Sequence, residues 1–162
     1  MFRKLIGTHR EFILSIVRLV VGVIFFYHGA QKMLGWFGGL GFTRQMAGFE
    51  ARHFPAIVAI LPISAEFFGG LGLIVGFLTR IAAFGLFCDM IAAMILVTGV
   101  NGFSMNWSGR QAGEGIEFSL MAVAIMLLFM VRGGGALSLD YLLQGSGSPR
   151  STVPAPLEKV RT

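Results

Sequence analysis

Six ionisable residues fall within or at the ends of long apolar stretches, where little water is available to solvate a charge. They are Arg18, His28, Lys32, Glu66, Asp89 and Glu117. An uncompensated charge at the centre of a membrane helix costs about 2.5 to 3.5 kcal/mol on insertion scales, so these side chains are expected to face one another. Two carboxylates and an imidazole at one depth can bind a polar headgroup or relay protons, and a purely structural polar core is the alternative.

Counting about 1.5 Å per residue along each predicted helix divides the six residues into two layers. From the cytoplasmic end, Arg18 lies at about 9 Å and Asp89 at about 12 Å, which predicts an ion pair that fixes helix register, with a functional charge as the alternative. The outer layer, at about 18 to 30 Å, holds the other four residues: Glu66, Glu117, His28 and Lys32. Lys32 lies at the interface, where we expect it to extend towards the lipid headgroups.

Other residue types exclude several kinds of centre. Cys88 is the single cysteine, so the chain can form no internal disulfide and no multi-cysteine metal site. A b-type haem needs two histidines on facing membrane helices, and His28 alone lies in a span, so haem is disfavoured and no metal site is predicted. The formal net charge of +5 does not indicate nucleic-acid binding, because the basic residues lie singly or in pairs beside apolar runs.

The elements that must position these residues are membrane helices. Of the 162 residues, 55% are hydrophobic and 13% are charged, against about 25% charged in soluble proteins. A helix of about 20 residues spans the hydrocarbon core. Four spans are predicted, at about 12–34, 56–78, 81–100 and 116–131. The runs lack the alternation of barrel strands, so the fold class is all-α, a polytopic bundle of four transmembrane helices.

The connection between the first and second spans is more than a turn. Phe42, Met46 and Phe49 recur at i, i+4 and i+7, which predicts a helix lying in the headgroup plane, with an irregular loop as the alternative. The membrane domain is predicted to cover 1–141. The segment 142–162 is rich in Gly, Ser and Pro and is predicted to be a disordered cytoplasmic tail.

The lysines and arginines predict the orientation. More of them flank the spans on the side of the two termini, so both termini are expected in the cytoplasm. The first apolar segment contains Arg18 and no small-x-small cleavage site, which argues against a cleaved signal peptide. We expect a multi-pass protein of a bacterial-type cytoplasmic (inner) membrane, with the lipid bilayer as its surroundings.

Four motifs follow one another along most of the chain. They are Arg18-x9-His28-Gly29-x2-Lys32, Glu66-x2-Gly69-Gly70 with Gly76-x2-Thr79-Arg80, Gly113-x3-Glu117, and Gly133-x-Gly135-x2-Ser138-Leu139-Asp140. In order and spacing they resemble the DoxX family of small four-helix integral membrane proteins. The chain departs from that pattern at Gly134, where the family frequently has proline.

The resemblance implies the membrane subunit of an oxidoreductase assembly. Related proteins occur in thiosulfate:quinone oxidoreductase and in complexes linked to thiol redox balance and oxidative stress. A quinone-like carrier would then be held by the motif residues: Arg18, His28, Lys32, Glu66 and Glu117. The chain has no obvious electron carrier of its own, so a peripheral redox enzyme is the expected partner and catalysis by the isolated chain is not expected.

Two other classes of function stay open. The chain can be a non-catalytic membrane scaffold that recruits a peripheral enzyme through its outer loops or its tail. It can also be a small-solute or proton transporter, which is less favoured because four spans enclose little space unless copies associate as a homo-oligomer.

Overall fold

The computed structural model describes residues 11–144, and every regular element within that range is helical. The helices are α1 (Phe12–Met33), α2 (Gly41–Glu50), α3 (Ala56–Val75), α4 (Thr79–Asn101), α5 (Glu117–Arg132) and α6 (Leu139–Leu143). The predicted all-α class is confirmed for this part of the chain. Most of the predicted tail, from residue 145 onward, lies outside the described residues.

Within residues 11–144, three helices are long and apolar enough to cross a membrane. They are α1 with 22 residues, α3 with 20 and α4 with 23. Helix α5 has 16 residues, fewer than the roughly 20 that span the hydrocarbon core. Three of the four predicted spans therefore coincide with suitable helices, and the fourth span stays a prediction.

Helices α1 and α3 approach each other closely because glycines lie on the contact. Gly22, Gly29 and Gly70 are all buried there, and a Cβ at any of them would meet the backbone of the facing helix. Small residues at such contacts let helices pack closely in lipid. The close contact at Gly29, against the backbone of Glu66 and Phe67, brings the last turns of α1 beside the middle of α3.

The apolar core lies between α1, α3, α4 and α5. Its fully or almost fully buried side chains include Phe25, Leu73, Leu86, Met126 and Phe129. Helix α5 packs along α4, and α1 packs along the second half of α3. Many large apolar side chains on the outer faces of these helices are exposed, as in a bundle whose surroundings are hydrocarbon.

Both α3 and α4 contain a wider, π-helical turn. These turns cover Ala65–Gly69 in α3 and Met94–Thr98 in α4. In α3 the turn follows Pro62, which lies inside the helix and has no backbone N–H to donate. Single π-helical turns are frequent at functional sites, and Glu66 lies within the first of these two.

Helix α2 forms at the position predicted for the connection between the first two spans. It begins after a 3-10 turn at Trp36–Gly38, and Gly35 and Gly41 on either side both have φ of +74°, a conformation that favours glycine. The helix packs against α1 and the start of α3. A helix rather than an irregular loop is thus confirmed here, while its location in the headgroup plane stays a prediction.

Candidate functional site

Arg18 is buried in α1 beside the end of α3. Its guanidinium donates hydrogen bonds to four backbone carbonyls, those of Leu73, Ile74 (3.0 Å), Gly134 (2.9 Å) and Leu137 (2.6 Å). The last carbonyls of a helix have no partner within it, so the end of α3 presents acceptors to a guanidinium with five donors. The predicted pair between Arg18 and Asp89 is therefore wrong, because backbone carbonyls take the place of the carboxylate.

Asp140, which is 1% exposed, occupies the same end of the bundle. Its two carboxylate oxygens accept hydrogen bonds from the backbone N–H groups of Leu78 (2.8 Å) and Thr79 (2.9 Å). These N–H groups belong to the start of α4, where a negative charge also interacts favourably with the helix dipole. We call Arg18, Asp140 and their backbone partners the Arg18–Asp140 cluster. Asp140 was not among the predicted site residues, although it closes the last of the four motifs.

Two further arginines connect helices at this end of the bundle. Arg80 donates to the carbonyls of Met130 and Val131, both at 2.9 Å, and so caps the end of α5. Arg132 forms an exposed ion pair with Glu11 at 2.8 Å. These contacts hold α1, α4 and α5 together at the end of the bundle that contains the Arg18–Asp140 cluster. We therefore interpret this cluster as structural.

A cavity of about 430 Å³ lies towards the other end of the bundle, between α2, α3 and α4. Five charged side chains line it: Lys32, Arg44, Arg52, Glu66 and Asp89. The walls between them are mostly apolar and include Leu40, Phe49, Phe54, Met90, Leu96 and Val97. The two π-helical turns of α3 and α4 both contribute lining residues.

An ion pair between α1 and α3 lies in this cavity. The Lys32 ammonium is 2.6 Å from each oxygen of the Glu66 carboxylate. The Glu66 side chain is 7% exposed and that of Lys32 is 32% exposed. The carboxylate is therefore buried, whereas the ammonium side of the ion pair stays partly accessible. Lys32 does not extend towards headgroups as predicted, because the close approach of α1 and α3 offers it a buried carboxylate.

Asp89 is a buried carboxylate of the cavity whose polar atoms are incompletely satisfied. Its side chain is buried in α4, and its Oδ2 has no hydrogen-bond partner among residues 11–144. The nearby Lys32 attracts this carboxylate, whereas the like-charged Glu66 repels it. A buried polar atom without a partner typically costs about 1 to 3 kcal/mol, so such an atom beside a cavity indicates a place where another group can bind.

Two predicted site residues are not part of the cavity. His28 is exposed and meets the ring of Tyr27 edge-on, with 5.5 Å between the ring centroids. The Oε2 atom of Glu117 accepts the backbone N–H of Met105 at 3.1 Å and so holds the loop before α5. The predicted grouping of both residues with Glu66 is therefore wrong.

The difference from the predicted layers has a geometric cause. His28 is one residue from Gly29, so it lies about 100° away from the buried stripe of α1. Helix α4 begins at Thr79, two residues before its predicted start, which moves Asp89 about 3 Å deeper, towards Glu66. Of the predicted outer layer, the structure brings together Lys32 and Glu66, and Asp89 joins them.

Two lining residues were missed as site candidates. Arg44 and Arg52 appear in the sequence only as basic residues flanking a span. The available indication was that Arg44 lies off the apolar stripe of the predicted helix and that Arg52 follows it by eight residues, close to the helix end.

These features define a helical membrane protein with a polar, ligand-sized cavity. Comparison with known proteins gives the family: the DoxX profile matches residues 13–99, more than half of the chain, and this protein belongs to the DoxX family. A Haemophilus influenzae protein described as "Uncharacterized protein" is 28% identical over 137 residues, which cover 82% of this chain and 91% of that protein. No solved structure matches the chain significantly.

Proposed function

We propose that this chain is the integral membrane subunit of an oxidoreductase assembly and that its cavity binds a quinone-like, lipid-soluble carrier. One observation carries the proposal: the Lys32–Glu66 ion pair lies next to a buried, unpartnered oxygen of Asp89 in a cavity with apolar walls. At about 430 Å³ the cavity falls within the usual range of small-molecule sites, about 300 to 1,000 Å³.

The residues of the cavity fit a quinone ring. Its carbonyl oxygens need hydrogen-bond donors, and the Lys32 ammonium can donate to one of them. The hydroxyls of the reduced form need acceptors, which the carboxylates of Glu66 and Asp89 supply. When bound, such a carrier supplies two-electron chemistry coupled to two protons.

Three of the charged residues, Lys32, Glu66 and Asp89, have distinct parts in this proposal. Glu66 holds the Lys32 ammonium inside the cavity, so that its position does not depend on a long, flexible side chain. Asp89 can hold a proton at Oδ2, the atom left without a donor by the described residues. The apolar side chains around them limit the access of water, which strengthens each polar contact.

The source of electrons is proposed to be a partner protein. A single cysteine excludes a dithiol relay within the chain, so a peripheral redox enzyme is proposed to reduce or oxidise the carrier at this membrane subunit. Co-purification in mild detergent followed by mass spectrometry tests for this enzyme. A scaffold without a carrier site would retain such a partner and bind no quinone.

Carrier binding is tested on the full chain in lipid nanodiscs with a short-chain ubiquinone. Equilibrium dialysis should show saturable binding that Glu66→Gln and Asp89→Asn both weaken. Glu117→Gln is the matched control, since this carboxylate lies outside the cavity lining. The absence of saturable binding, or equal weakening by the control, would overturn the proposal.

We further propose four spans, α2 in the headgroup plane and both termini in the cytoplasm of a bacterial inner membrane. The packing of α5 along α4 supports the fourth span, because it holds the shorter helix at the depth of a longer one. With Cys88 replaced by alanine, Ser108→Cys should react with an impermeant maleimide on intact spheroplasts and Leu143→Cys should react only after lysis. The reverse pattern would invert the topology.

A further inference from the structure

The cavity contains two charged residues that the carrier proposal does not use. Arg44 lies within α2 and Arg52 lies just beyond its end; both side chains are exposed and both line the cavity. Neither guanidinium has a hydrogen bond or ion pair with a residue of the described range 11–144. Every other charged group there has an electrostatic partner among the cavity residues.

The charges of the cavity do not balance. Lys32 is neutralised by Glu66, and Asp89 is the one remaining carboxylate among the described residues that line the cavity. Glu50, the acidic residue of α2, is exposed and is not part of the lining. An excess of positive charge therefore remains on the side of the cavity formed by α2.

Arginine side chains favour one class of ligand. A guanidinium presents parallel N–H donors that match the oxygens of phosphate-type anions, and such charge-assisted hydrogen bonds are the strong ones. Two guanidinium groups at one cavity wall, neither paired with a residue of the described range, are thus suited to a phosphate-type oxyanion.

The surroundings of the two arginines indicate an amphiphile. Leu40, Phe49 and Phe54 line the cavity from the α2 side, and Leu96 and Val97 line it from α4. An inorganic anion has no apolar part to contact these walls, whereas the acyl chains next to a lipid headgroup can pack against them. Basic pockets beside membrane helices bind anionic lipid headgroups for this reason.

We infer that Arg44 and Arg52 form a binding site for a phosphate-type oxyanion at the α2 wall of the cavity, and that an anionic phospholipid supplies it. The phosphate contacts the two guanidinium groups, and the adjoining hydrocarbon lies against the apolar wall. This site does not depend on the carrier proposal, because it uses neither Lys32, Glu66 nor Asp89.

The test is native mass spectrometry of the full chain released from a neutral detergent. The chain is titrated with phosphatidylglycerol, with phosphatidylcholine of the same acyl chains, and separately with inorganic phosphate. Arg44→Gln combined with Arg52→Gln should weaken phosphatidylglycerol binding about tenfold or more and leave phosphatidylcholine unchanged. The matched control is Arg110→Gln, an exposed arginine of the outer loop that does not line the cavity.

Each outcome of these titrations either identifies the source of the anion or overturns the proposed site. A preference for phosphatidylglycerol that the double variant loses and the control keeps supports a lipid phosphate. Arginine-dependent binding of inorganic phosphate without a lipid preference supports the oxyanion site and assigns it to a free ion. Equal binding of both lipids with no phosphate binding, or an equal loss in Arg110→Gln, overturns the inference.

Two further measurements separate this site from other effects. Arg44→Lys with Arg52→Lys keeps both charges and should recover part of the lost affinity, which a merely unfolded variant would not. The short-chain ubiquinone titration should be unchanged in the glutamine double variant. The proposal of a carrier site and the proposal of an anion site can then be overturned independently of each other.

Discussion

The two polar regions of this bundle are built in opposite ways. In the Arg18–Asp140 cluster, the guanidinium and the carboxylate are both satisfied by backbone groups at helix ends. In the cavity, Lys32 and Glu66 form an ion pair, while Glu66 Oε2 and Asp89 Oδ2 have no hydrogen-bond partner among the described residues. The first region is packed, and the second borders about 430 Å³ of space.

This contrast shows how to distinguish structural from functional charges within a membrane bundle. A buried charge that is fully hydrogen-bonded to backbone fixes the positions of helix ends and has no capacity left for a ligand. A buried charge with an incomplete set of partners beside a cavity retains that capacity. Residue type alone does not separate the two cases, since each region contains a basic residue and a carboxylate.

The largest effect is expected from Arg18→Met, which leaves buried carbonyls without donors. Each unsatisfied buried group costs about 1 to 3 kcal/mol, so several together should abolish most of the folded yield. Adding Asp89→Leu should not restore it, because the two residues are not paired. The check is thermal unfolding in detergent together with monodisperse yield, and recovery by the double change would contradict the distinction between the two regions.

Asp140→Asn should cause the next largest loss of stability. The amide keeps one acceptor oxygen but places an NH₂ group against one of the two N–H donors at the start of α4. The expected cost is about 1 to 3 kcal/mol in the free energy of unfolding. Glu50→Gln, at an exposed carboxylate of α2, is the control and should change the unfolding temperature little.

The sequence was sufficient for the helices and insufficient for their polar partners. Apolar runs and the i, i+4, i+7 pattern predicted α1 to α4 to within a few residues, because burial in hydrocarbon is a property of each segment alone. The partner of Arg18 depends on where α3 ends and on the Gly133–Gly135 turn, which are tertiary facts. The depth of a side chain counted from a predicted helix end shifts with every residue by which that end is misplaced. This shift was enough to pair Asp89 with Arg18 instead of grouping it with Glu66 and Lys32.

Some of the residues that line the cavity could be predicted from the sequence, and others could not. Lys32 and Glu66 follow from depth and from the glycine stripe, which identifies the facing sides of α1 and α3. Arg44 and Arg52 could not be placed, because their position depends on how α2 folds back over the bundle. The prediction places His28 beside the glycine stripe of α1, and the 100° that separates it from Gly29 is enough to keep it out of the cavity lining.

Glu66→Gln should affect ligand binding more than folding. The neutral amide can still accept a hydrogen bond from Lys32, but the charge that holds the ammonium is lost. We expect carrier affinity to fall about tenfold, equivalent to about 1.4 kcal/mol, with a smaller change in stability. A variant that unfolds as readily as Arg18→Met would show that the cavity is structural too.

Asp89→Asn should distinguish an effect on carrier binding from an effect on folding stability more clearly than Glu66→Gln does. The change removes a buried charge whose Oδ2 has no donor among the described residues, so the free energy of unfolding should stay the same or rise. Carrier affinity should fall, since an amide cannot hold the proton that this carboxylate can. Thermal unfolding and dialysis on one preparation give both quantities, and a stability loss above about 2 kcal/mol would reveal an unrecognised structural partner.

The smallest effect is expected from His28→Gln, which tests the border of the cavity. The imidazole is exposed, its ring contact is with the adjacent Tyr27, and the cavity lining does not include it. Exposed substitutions away from such features usually change stability by less than about 0.5 kcal/mol, and carrier affinity should be unaffected. If His28→Gln weakened carrier binding as much as Glu66→Gln, the carrier would have to bind on the outer face of α1, and the contrast between a packed cluster and an open cavity would no longer locate the site.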